Sequence, residues 1–167
     1  MDVNLREADP ADAQSICAVH LASIEGLAGQ SYTEVQVSAW GHERNPEEYP
    51  ITASDTYFLL AENEHRLLGF GWMKPNADGY FQSDVYGEIT AVYVHPSVAH
   101  QRIGSQIYTG LESYAREKNI DSLGLWASLN AVPFYEAHGY TQVIDHVHEF
   151  DDSIEGTVVE MRKPLED

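Results

Sequence analysis

Hydrophobic and polar positions alternate along this chain with two periods. Val3 to Ala8 alternates with period two, the mark of a short half-buried strand. After Asp9 and Pro10, which read as a cap and a first helical position, Ala13, Ile16, Cys17, His20, Ile24 and Leu27 recur at helical spacing and predict an amphipathic helix ending near Gly26 and Gly29. Tyr32, Val35 and Trp40 mark a second, shorter helix over 31–40, and Asn45 to Tyr49 adds a helical turn that Pro50 stops. Thr56 to Glu62 and Leu67 to Lys74 read as two strands around a polar turn, hence a hairpin, followed by a loop over 75–85 that holds Asn76, Asp78 and Gly79. Tyr86 to His95 is a strand closed by Pro96. A turn over 97–102 then leads into a helix with apolar positions Ile103, Ile107, Leu111 and Tyr114. Asp121 to Ala127 is an apolar strand, Asn130 to His138 a short helix closed by Gly139, and Tyr140 to Phe150 and Gly156 to Lys163 are the last two strands. This order predicts a mixed α/β sheet with helices on both faces.

Composition narrows the class. A chain of 167 residues, 43% hydrophobic and 22% charged, has the size and balance of one globular domain, here spanning 1–167. No stretch approaches the roughly 20 apolar residues of a membrane span, and the N-terminus lacks the basic and apolar regions of a signal peptide, so the expectation is a cytoplasmic protein with no membrane partner. Twenty-seven acidic residues stand against 9 basic ones scattered singly, which disfavours nucleic acid as a partner. The acidity has two readings: attraction of cationic substrates to a cleft, or a surface solvated at high salt as in a halophile, which the scarcity of lysine favours. Cys17 sits in an apolar helical pattern and reads as core.

The segment from Glu88 to Gln106 carries the first chemical signal. A strand enters a turn rich in His100, Gln101 and Arg102 and then a helix opening at Ile103, Gly104 and Ser105. Amide donors at a helix start attract anions, Gly104 lets a phosphate approach the backbone, and Arg102 adds a charged donor. Neither a GxxxxGK[ST] nor a GxGxxG pattern occurs, which removes the usual nucleotide-binding loops. His146 and His148 face one side of a strand, but no third ligand follows by spacing, and no metal is expected.

A second constellation, Ala127-Ser128-Leu129-Asn130-Ala131 and Phe134-Tyr135-Glu136 before Gly139-Tyr140, follows the strand-turn-helix with its Val94-His95-Pro96 and Ile103-Gly104-Ser105. Two such motifs in this order resemble the GNAT superfamily of N-acetyltransferases. The resemblance covers most of the chain and is firmest from Glu88 to Tyr140. It implies a largely antiparallel central sheet and an acetyl-CoA-dependent enzyme transferring acetyl to a primary amine of a small molecule or protein. One departure stands out: Ala99 lies where the family has Gln or Arg, and Arg102 where it usually has the first glycine of the turn.

By that resemblance, the turn Gln101, Arg102, Ile103, Gly104 and Ser105 holds the pyrophosphate of acetyl-CoA. The strand residues Val92, Tyr93 and Val94 pair with its pantetheine arm, and Asn130 touches the cofactor, although an Asn there also suits a helix cap. Glu88 matches a common family base, acting directly or through water, because an alkylammonium has no lone pair and must lose a proton before it attacks. Tyr135 matches the acid that protonates the departing thiolate; a phenol with an unperturbed pKa of about 10 stays protonated at neutral pH. The acceptor wall falls to the first two helices, where His20, Ser23, Ile24, Tyr32, Gln36 and Trp40 are candidates. The alternative is a module of the same fold that binds acyl-CoA without efficient transfer. Oligomeric state is not legible in the sequence; strand edges in such folds often pair, which makes a homodimer one possible assembly.

Overall fold

The computed structural model describes residues 3–27, 32–41, 45–77, 79, 81–82, 84–151 and 154–165. Gly29, Ser31 and Asp78 of the segments above lie outside them, as does the side chain of Trp40. Seven strands form one sheet: β1 (Asn4–Glu7), β2 (Tyr57–Glu62), β3 (Leu67–Lys74), β4 (Gly87–Val94), β5 (Ser122–Ser128), β6 (Thr141–Asp151) and β7 (Ile154–Pro164), in the spatial order β1-β2-β3-β4-β5-β7-β6. Every pairing is antiparallel except β4 with β5. The helices are α1 (Ala13–Leu27), α2 (Glu34–Gly41), α3 (Ile103–Glu117) and α4 (Val132–Ala137).

The two hydrophobic periods meet on opposite faces of the sheet. Tyr108 and Leu111 of α3 and Tyr135 of α4 pack with Leu123, Leu125 and Met161 on one face. Ile16, Cys17 and Val19 of α1 pack with Phe58, Leu60 and Phe70 on the other. Gly71 on β3 explains how closely α3 lies, because a Cβ there would fall 2.6 Å from Ile107 and 2.8 Å from Leu111, so any side chain would push the helix off the sheet. Leu111 is wholly buried, and truncating it to Ala costs about 2–5 kcal/mol.

The parallel pair creates the site. β4 meets β5 only through Gly87 with Leu123 and Glu88 with Gly124, and beyond these the two strands part. A bulge in β4 accompanies the divergence: β3 pairs Met73 with Ile89 and then Trp72 with Ala91, so Thr90 is the extra residue. Meanwhile β5 turns its other edge to β7, from Ser122 with Pro164 to Ser128 with Val158. The sheet is therefore a fork, held together on its outer edges and open in the middle.

Candidate active site

The fork encloses a cleft of about 650 Å³. Its walls are β4 from Ile89 to Val94, the end of β5, the turn into α3, the start of α4, and Ser23 and Ile24 of α1. Past Glu88, the β4 edge facing β5 makes no strand pairing, so its amides and carbonyls are available to an extended ligand. No Asp or Glu is among the lining residues, although the chain carries 27.

The turn into α3 is built around two left-handed residues that are not glycine, His100 (φ 64°) and Arg102 (φ 67°). Each costs about 1–2 kcal/mol relative to ordinary backbone, and such strain gathers at functional sites. Arg102 is the N-cap of α3, its side chain makes no capping bond, and the first helical turn holds no acid. The first intrahelical bond runs from Gln106 N–H to the Arg102 carbonyl at 3.1 Å, so the amides of Ile103, Gly104 and Ser105 precede it. A Cβ on Gly104 would lie 3.3 Å from the Phe134 ring and 3.5 Å from Val94, so glycine keeps this approach clear. Arg102, Ile103, Gly104 and Ser105 all line the cleft, whereas Gln101, between the two left-handed residues, is exposed and stands outside the lining.

Across the cleft, Tyr135 and Phe134 project from α4. Burial, reinforced by the neighbouring Tyr93 and Tyr140, pushes the Tyr135 phenol well above its ordinary pKa, so it stays protonated at any physiological pH. Asn130 also lines the cleft. The cap alternative for it falls away, because the N-caps here are Ser128 and Ala131 and neither helical turn has a side-chain cap bond. Behind them, Ser105 Oγ is 3.1 Å from His138 Nε2, and Lys163 Nζ donates to the His138 carbonyl at 2.7 Å and to Glu112 at 2.5 Å, tying α3 to α4 and β7.

Of the residues expected at the acceptor end, Ser23 and Ile24 reach the cleft. Tyr32 does not: its buried hydroxyl donates to the Thr157 carbonyl at 2.8 Å and accepts from Leu129 N–H at 2.9 Å, binding the start of α2 to β7 and to the end of β5. Glu88 is 4% exposed at the base of the fork, in register with Lys74 on β3, one residue below the first lining residue, Ile89. His146 and His148 both approach Trp126: His146 stacks on it with centroids 4.7 Å apart, and His148 meets it edge-on at 6.2 Å. His146 Nε2 is 2.9 Å from Glu160, which also accepts from the Gln82 amide.

Trp126 and Thr90 are among the cleft residues that escaped the sequence reading. On β5, Leu123, Leu125 and Ala127 belong to the α3 core, which leaves Trp126 on the opposite face flanked by Gly124 and Ser128. A bulky aromatic between two small residues on the polar phase of a strand is the signal that could have found it.

A mixed sheet forked at a parallel pair, with a free strand edge leading to an uncapped helix start, is the architecture of an acyltransferase. The chain belongs to the acetyltransferase (GNAT) family, whose model matches residues 23–140. It is similar to a GCN5-related N-acetyltransferase from Rhodopseudomonas palustris, with a TM-score of 0.84 and 26% identity, covering 99% of this chain and 97% of that one. It also shares the fold of the PaiA N-acetyltransferase from Thermoplasma acidophilum, solved in complex with coenzyme A, with a TM-score of 0.77 and 22% identity, covering 99% of this chain and all of that one. In sequence it is 24% identical over 142 residues to the uncharacterized N-acetyltransferase YafP of Escherichia coli, 85% of this chain and 83% of that one. It is 33% identical over 88 residues to the mycothiol acetyltransferase of Sanguibacter keddieii, a match that spans 51% of this chain and 28% of that protein.

Proposed function

We propose that the protein transfers the acetyl group of acetyl-CoA directly to a primary amine of a small molecule or protein. The observation that carries this reading is the uncapped, acid-free start of α3 facing the unpaired edge of β4. These residues fit a CoA thioester. The amides of Ile103 to Ser105, with Arg102 beside them, suit a pyrophosphate. The free edge at Val92, Tyr93 and Val94 suits an amide-bearing arm, and Gly104 leaves room where a Cβ would crowd Phe134. Acetyl-CoA supplies an acetyl thioester open to attack by a neutral amine.

The chain's own residues then handle position and protons. Tyr135, kept protonated by its burial, gives its phenolic proton to the departing thiolate. Glu88 receives the amine proton, through a water that bridges from the cleft, since the carboxylate stands one residue below the lining. Ser23, Ile24 and Trp126 flank the acceptor. The acidic surface stays out of this wall, which favours the reading of acidity as solvation.

Tyr135→Phe tests the proposal. With thiol release followed over a panel of primary amines and acetyl-CoA affinity followed by calorimetry, turnover should fall about 100-fold while affinity holds within about twofold. Unchanged turnover in the variant refutes the acid role of Tyr135. A folded wild type that binds acetyl-CoA but releases no thiol with any amine supports the binding-module alternative.

A further inference from the structure

The bulge that opens the fork leaves one polar group unaccounted for. Thr90 is the extra residue of β4, without a register partner on β3. Its Oγ1 is buried and has no hydrogen-bond partner among the described residues, yet Thr90 lines the cleft. Its neighbours in sequence are Ile89, which packs into the α3 core, and Ala91, which packs into the α1 core. Strand propensity does not explain a threonine here, since valine has the same branched shape and an equal liking for strands without the cost of a dry hydroxyl. A ligand that fills the cleft removes that cost.

Position decides which part of the ligand it meets. Val94 lies beside the anion seat, where a Cβ on Gly104 would be 3.5 Å from it. Thr90 is four residues back toward the apex of the fork, about 13 Å along the strand at roughly 3.3 Å per residue. An extended arm anchored by its phosphates at α3 and running down the free edge of β4 therefore brings its far end to Thr90. The bulge also takes Thr90 out of register with β3, and Thr90 lines the same cleft as Trp126.

We infer that the Thr90 hydroxyl donates a hydrogen bond to the acyl carbonyl oxygen of the bound thioester, so that this residue distinguishes acylated from free CoA. The inference rests on the acyl-CoA reading of the cleft. Calorimetric titration of the wild type and Thr90→Val with acetyl-CoA and with CoA, alongside thermal unfolding, tests it. The ratio of CoA to acetyl-CoA dissociation constants should drop about threefold to tenfold in the variant, the range of one neutral hydrogen bond. CoA affinity should be unchanged and the melting temperature equal or higher, because the dry hydroxyl is gone. Thr90→Ser should keep the wild-type ratio, and Thr90→Ala repeats the ratio measurement if the valine variant does not fold. An unchanged ratio in a folded Val or Ala variant, or equal weakening of both ligands, overturns the role of Thr90 alone. A folded wild type that binds neither ligand overturns the acyl-CoA reading with it.

Discussion

Two helical segments of this protein begin in opposite ways. The turn Pro10–Asp12, which runs into α1, starts with its donors satisfied: Asp9 Oδ1 accepts from Ala11 N–H at 2.9 Å, and Asp12 Oδ2 accepts from Asp9 N–H at 2.8 Å, a reciprocal capping box. Arg6 on β1 then donates to both Asp12 oxygens at 2.8 Å and to Glu62 at 2.9 Å, fastening the helix start to β1 and β2. The start of α3 has none of this. Its N-cap is a left-handed arginine without a capping bond, and no acid sits in its first turn. In a chain with 27 acidic residues, a helix start without one is informative. At the start of α1 carboxylates finish the helix; at the start of α3 the amides face the cleft uncapped, the arrangement that suits an anion in the proposed function.

Making the second start resemble the first should have the largest effect. Gly104→Asp puts a carboxylate among the free amides and a Cβ 3.3 Å from Phe134. Acetyl-CoA affinity measured by calorimetry should fall by more than about 100-fold, since like charges juxtaposed at a binding site cost several kcal/mol. Affinity within a fewfold of wild type would place the phosphates elsewhere.

Arg102→Gly separates strain from charge. Glycine adopts the left-handed conformation freely, so stability should rise by about 1 kcal/mol, which is about 2–4 °C in melting temperature for a chain of this size. The lost cation should weaken acetyl-CoA binding by about threefold to tenfold and flatten its dependence on salt. A lower melting temperature would show that the guanidinium holds the turn rather than the ligand.

Changes at the capped start should register in stability alone. Asp9→Ala should cost about 1 kcal/mol and leave acetyl-CoA affinity untouched. Hydrogen bonds from Arg6 hold the Asp12 carboxyl below its ordinary pKa despite an opposing burial effect. A carboxylate with a depressed folded pKa contributes fully above its unfolded value of about 3.9, and that contribution is lost as pH falls through the lower folded value. Melting temperatures followed from pH 6 down to pH 2 should therefore drop more gently below about pH 4 in Asp12→Asn than in the wild type, from a lower starting point. Parallel curves would remove Asp12 from the account.

The same contrast marks what the sequence made legible. Local periods located each of the seven strands and the long helices, and the capping pair Asp9-Pro10 set the start of the first helical segment, because these depend on neighbours within a few residues. The α3 start was legible through Gly104, Arg102 and the strand-turn-helix order around them. Three features were not. Tyr32 reads as an acceptor wall, but its hydroxyl is committed to Thr157 and Leu129, 125 and 97 residues away, and no local pattern announces such a bond. Gln101 is contiguous with the turn expected to hold an anion, yet it lies between two left-handed residues, exposed and outside the cleft lining. Thr90 depends on a bulge, a register event between strands that alternation along one strand does not encode. The family pattern around Arg102 has a glycine, and the structure gives the reason its replacement still folds: the arginine takes the glycine's left-handed backbone.

The central claim is that the bare start of α3 and the open edge of β4 form a seat for a CoA thioester. Calorimetric titration of acetyl-CoA into the wild type and Gly104→Asp, at moderate and high salt and with thermal unfolding to verify the fold, tests it most directly. The account predicts micromolar binding by the wild type, on the order of −8 kcal/mol, and none by the variant. A folded wild type that takes up no acetyl-CoA, or a variant that binds it equally well, would contradict it.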